Sequence, residues 1–119
     1  MAIAVAIAAA ARSASAAGWT TVATFKGDGG HAFDTKPFAV HGRNIRVVYT
    51  VEPNSSGPVP LLWSVFREGT SGVQNELGRH ACVSCNGKQT DEVGAFAAGS
   101  YYLRVLTSRP WTMTVEEAQ

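Results

Sequence analysis

Three stretches of this 119-residue chain alternate apolar and polar side chains with a period of two, and that period constrains the fold more than any other feature. In the first, Ile45, Val47, Tyr49 and Val51 share one parity, while Asn44, Arg46, Val48 and Thr50 share the other. In the second, Tyr101, Leu103 and Val105 fall together; in the third, Trp111, Met113 and Val115 do. Side chains on an extended strand point to opposite faces in turn, so each set forms one apolar face that must be covered. The second and third runs, joined through Ser108-Arg109-Pro110, read as a hairpin lying on the core.

The rest of the chain after residue 17 carries the same kind of signal in shorter pieces. Residues 19–25 are rich in strand formers. Residues 36–40 form a short strand, with Pro37 suited to a strand start or a sheet edge. Residues 60–66 are apolar on both parities, which predicts a central strand covered on much of both faces, with Trp63 and Val65 in the core. Residues 68–78 are polar and broken by glycine, and residues 88–96 are a weaker strand. No apolar repeat at helical spacing occurs in this part. Twelve glycines and five prolines supply the turns that such a fold needs. About eight short strands separated by turn signals predict an all-β, antiparallel, jelly-roll-like sandwich formed by residues 17–119 as one domain.

Residues 1–11 are almost wholly Ala, Ile and Val, and Ala14-Ser15-Ala16 follows as a small-x-small triplet. This reads as a secretory signal peptide spanning 1–16, cut before Ala17. The run is too short for a bilayer span, which needs ~20 apolar residues. Removing Arg12 with the signal takes the formal charge from +1 to zero. A neutral module has no electrostatic drive toward nucleic acid or an anionic membrane. A secreted, extracellular, soluble product is therefore expected, with no membrane association once the signal is gone.

Cys82-Val83-Ser84-Cys85 is the most distinctive local motif. Exported cysteines in even number normally pair, so a Cys82–Cys85 disulfide pinning one loop is expected. A zinc site on His80, Cys82 and Cys85, with His31 or His41 as a fourth ligand, is an alternative. A thioredoxin-like redox site is another, although it needs a helix N-terminus and a βαβ context. A c-type haem site fails because Asn86, not histidine, follows the second cysteine. His31, His41 and His80 read as loop residues, and no Gly-x-Ser-x-Gly elbow accompanies them. No catalytic residue and no cofactor is expected. The glycine-rich 27–30 segment, with Asp28 and Asp34, is a weak partial match to a calcium loop. Trp63 and Trp111 fall on the core parity, whereas Trp19 is ambiguous between packing and a sugar platform. Arg46, Tyr102 and Arg104 fall on the outward parity and make a candidate interaction face.

The segments Thr35-Lys36-Pro37-Phe38-Ala39-Val40, Ala97-Ala98-Gly99-Ser100-Tyr101-Tyr102-Leu103-Arg104-Val105 and Trp111-Thr112-Met113-Thr114-Val115, with a mid-chain Trp strand between them, resemble bacterial pre-peptidase C-terminal domains and similar CUB-like secreted sandwiches. The resemblance implies a jelly-roll-like module without catalytic residues of its own, associated with secretion, folding or substrate binding. The expected function is an exported, non-catalytic interaction module that binds a protein or a glycan. The alternatives are a zinc or thiol-disulfide protein centred on Cys82 and Cys85, and a structural subunit of a surface assembly.

Overall fold

A computed structural model describes residues 18–119; the 1–16 leader segment lies outside the described residues. Nine strands and one 3₁₀ turn follow one another: β1 (Trp19–Gly27), β2 (Phe33–Asp34), β3 (Phe38–Val40), β4 (Asn44–Val51), β5 (Val59–Arg67), the turn Val73–Asn75, β6 (Gly78–Cys85), β7 (Gln89–Ala95), β8 (Gly99–Thr107) and β9 (Trp111–Ala118). Among the described residues there is no α-helix.

The strands form two antiparallel sheets. Sheet one has the order β1-β9-β4-β7, and sheet two has the order β2-β8-β5-β6 with β3 also paired to β8. The core lies between them, and the period-two runs supply it. Ile45, Val47, Tyr49 and Val51 of β4 face inward from sheet one with Trp111, Met113 and Val115 of β9. Trp63 and Val65 of β5 face them from sheet two with Tyr101, Leu103 and Val105 of β8. All of these side chains are 5% exposed or less, as their parity predicts.

The expected hairpin between β8 and β9 does not form. The two strands lie in opposite sheets, β8 between β5 and the β2/β3 edge, β9 between β1 and β4. Parity shows which side of a strand is greasy, and both strands do face the same core. It does not show which neighbour the strand bonds. The 108–110 segment is therefore a corner between layers. Glu52 N–H donates to the Pro110 carbonyl at 2.8 Å, and Gly30 N–H donates to the Thr107 carbonyl at 2.8 Å. Gly29 lets the 27–30 loop lie against this corner: its φ is +84°, and a Cβ there would fall 2.4 Å from the Arg109 carbonyl oxygen.

Two further expectations change. Residues 60–66 are not covered on both faces, because Leu62 is 40% exposed. The cysteines and His80 sit on strand β6 rather than in a loop.

Candidate interaction surface

The outer face of sheet two is laid out by register. Leu62 pairs with Leu106, Ser64 with Arg104 and Phe66 with Tyr102 across β5 and β8. On the other side of β5, Ala81 pairs with Leu62 and Arg79 with Ser64. Asp34 of β2 pairs with Arg104. Directly opposed residues share a face, so these side chains form one surface that grades from aliphatic through ionic to aromatic.

The ionic and aromatic parts are internally satisfied. Arg104 donates to both carboxylate oxygens of Asp34, at 2.7 and 2.9 Å. That hydrogen bond, reinforced by charge, holds the Asp34 carboxyl below its ordinary pKa. The Arg104 guanidinium also lies 5.1 Å from the centre of the Phe66 ring. Phe66 stacks on Tyr102 with centroids 5.3 Å apart and is 3% exposed. The Tyr102 hydroxyl donates to the Thr70 carbonyl at 2.5 Å. The 3₁₀ turn brings Glu76 over β5, where it accepts from the Ser64 hydroxyl and from Arg79. The Ser64 hydrogen bond first, and Arg79 second, lower the Glu76 pKa.

The aliphatic part has no such cover. Leu62 is 40% exposed and Leu106 is 48% exposed, side by side across the ladder. Each lines two adjoining shallow clefts. One, of about 180 Å³, runs toward Ser64, Arg79 and Arg104. The other, of about 300 Å³, runs toward Pro60, Thr107 and Ser108.

Arg46 does not belong to this surface. It is on β4 in sheet one, whereas Tyr102 and Arg104 are on β8 in sheet two, so the three expected residues do not share a face. Outward parity is common to both layers and cannot say which layer a strand joins. Arg46 donates instead to buried Glu116 at 2.6 Å, and its guanidinium lies 4.4 Å from the centre of the Trp19 ring. The sequence reading missed Leu62 because residues 60–66 looked apolar throughout. It missed Glu76 because a segment without a period gives no hint that a 3₁₀ turn will lay it over Ser64.

Cys82 and Cys85 are disulfide-bonded, with Cα atoms 5.4 Å apart. Cys85 is 1% exposed. The zinc alternative on His80, Cys82 and Cys85 is not assembled: the sulfurs bond each other, and no three His, Cys, Asp or Glu side chains among the described residues converge to hold a metal. His80 instead stacks on Trp63, 4.4 Å between centroids. Its Nδ1 is 3.9 Å from Asp91, which accepts from the Tyr49 hydroxyl at 2.7 Å. Burial first, then that carboxylate, push the Tyr49 pKa up. The calcium reading of the 27–30 loop fails on the same ground, since Asp34 is engaged by Arg104.

At the opposite end of sheet one, Glu117 is 5% exposed and lies against a cleft of about 550 Å³. It accepts from the His41 amide at 2.6 Å, the His41 ring at 3.0 Å and the Arg43 amide at 3.2 Å. Burial alone would raise its pKa; those three hydrogen bonds outweigh burial and hold the carboxyl below its usual range. His31 lines a third cleft, of about 630 Å³, with Lys26, Asp28 and Glu52 above Trp111.

No protein family matches the chain, and no curated protein matches it. The crystal structure of FLHE aligns with 87% of this chain and 100% of its own, at 16% identity and a TM-score of 0.39. That overlap carries no argument about function.

Proposed function

We propose that this protein is an exported, non-catalytic recognition module that binds another protein through the outer face of sheet two. The carrying observation is the Leu62–Leu106 pair, two large aliphatic side chains left 40% and 48% exposed beside each other on a strand face. A contiguous apolar patch rimmed by polar groups is the composition of an interface. The rim supports the reading too. Its charges are already paired as Asp34–Arg104 and Glu76–Arg79, so a partner need not neutralise them.

A protein partner is favoured over a glycan. Sugar stacking needs an open aromatic face, and Trp63 and Trp111 are 1% and 4% exposed. Tyr102 is stacked on Phe66 with its hydroxyl engaged. The disulfide and the apolar 1–16 segment support export, and the resemblance to secreted accessory sandwiches supports a non-catalytic role.

The test is photo-crosslinking from position 62 or 106 in medium conditioned by the native cells, with position 46 on the opposite sheet as control. A single adduct, from 62 and 106 only and competed by the unmodified protein but not by Leu62→Asp/Leu106→Asp, is the expected result. Adducts equally frequent from position 46 would end the proposal.

A further inference from the structure

We infer that two copies of the chain pair through β1, edge to edge and antiparallel, to form a twofold dimer with one continuous eight-stranded sheet. The argument starts from the exposed edges. An edge strand offers unpaired amides and carbonyls to any extended chain, and folds usually blunt such edges with charge, proline, bulges or brevity. Three of the edges here are blunted. β7 carries Asp91 and Glu92 and is kinked at Gly94, where φ is +96°. Its middle residue is Glu92, so self-pairing would set that carboxylate opposite its own copy. The β2/β3 edge consists of strands two and three residues long, with Pro37 between them. β6 breaks register opposite Val59 and Leu61 and is bridged from Cys82 to Cys85.

β1 has none of these protections over most of its length. It is nine residues long and is bonded only to β9. Thr21, Val22, Ala23, Thr24 and Phe25 carry no charge and include no proline or glycine. Its one irregularity is at Val22, and residues 23–27 run in unbroken register with β9. No backbone hydrogen bond outside the ladders engages residues 21–27 among the described residues.

The occupant follows from charge. A neutral edge has no means of rejecting its own copy, while the β7 edge does. Pairing about Thr24 sets Ala23 opposite Phe25 of the second copy and Val22 opposite its Lys26. The two Lys26 residues then stand four positions apart along the strands, about 13 Å at the rise of a β-strand. That exceeds the ~8 Å screening length at physiological salt, so the only charge on β1 does not oppose the dimer. The twofold axis of an antiparallel pair stands normal to the sheet, so both copies present the outer face of sheet two on the same side.

Sedimentation equilibrium on the purified protein over a wide concentration range tests this. Thr24 is exposed and bonds only Thr114 through its hydroxyl, so Thr24→Lys and Thr24→Asp can be made without disturbing the core. The wild-type mass should rise with concentration to twice that of one chain. Each variant alone should remain at one chain, and an equimolar mixture of the two should recover the dimer. Amides of residues 22–25 should gain hydrogen-exchange protection as wild type is concentrated. A wild-type chain that stays single up to millimolar concentration overturns the inference. So does a dimer that both variants retain, or variants whose mixture stays monomeric.

Discussion

Glu117 shows how one side chain sets a pH limit on this fold. Its carboxylate is nearly buried, and three N–H donors from the 41–43 segment make the ionised form the favoured one. A folded-state pKa below the unfolded value of about 4.3 means the unfolded chain binds the proton more readily. The stabilisation is therefore fully present above that value and is lost as pH falls through the folded-state pKa. Glu117→Gln should lower stability by about 1–3 kcal/mol near neutrality and flatten the acid limb of a urea-midpoint profile. His41→Ala should cost less, because two of the three donors are backbone amides. The same contrast separates structural from recognition side chains. Met113 is fully buried, so Met113→Ala should cost about 2–5 kcal/mol. Leu62→Asp, on the surface, should change stability by less than about 0.5 kcal/mol while abolishing the crosslink at that face. Arg46→Ala should destabilise by about 1–3 kcal/mol by stranding Glu116, and should leave partner binding intact.

Among the elements, β4, β8 and β9 were readable from the sequence to the residue, because each buries one face and wets the other. Ile45 through Val51, Tyr101 through Val105 and Trp111 through Val115 all point inward as their parity requires. β5 was legible as a strand but not in its exposure. Leu62 faces out because nothing in the chain covers it, and a hydropathy pattern records the side chain, not the missing cover. Sheet membership was not legible at all, since pairing depends on which layers the turns connect. That is why Arg46 was grouped with Tyr102 and Arg104. Strand β6 was hidden because its residues alternate weakly: Arg79, Ala81 and Val83 are outward, with the disulfide at its end. The Cys82–Cys85 bridge closes a ring of only four residues, so its loop-entropy contribution is at most about 2 kcal/mol. Cys82→Ser/Cys85→Ser should lower the urea midpoint modestly and leave the circular dichroism spectrum unchanged. Intact mass should rise by two protons when the wild type is reduced.

Across the whole molecule, successive strands mostly land in opposite sheets, and β5 and β6 are the one consecutive pair that bonds directly among the described strands. Both outer faces are carried on long-range ladders, which gives the recognition surface a rigid base and places the tail amide of Gln119 on the Gly18 carbonyl at 2.8 Å. Folding rates fall as contacts become more distant in sequence, so this chain should fold in milliseconds to seconds with a single slow transition in stopped-flow refolding. The pairing of β1 with β9 has a consequence for biosynthesis. A polypeptide that emerges amino end first exposes Trp19–Gly27 long before its only ladder neighbour, Trp111–Ala118, has been made. The nascent chain cannot lock into shape until translation ends, and it stays threadable through a narrow conduit until its last strand arrives.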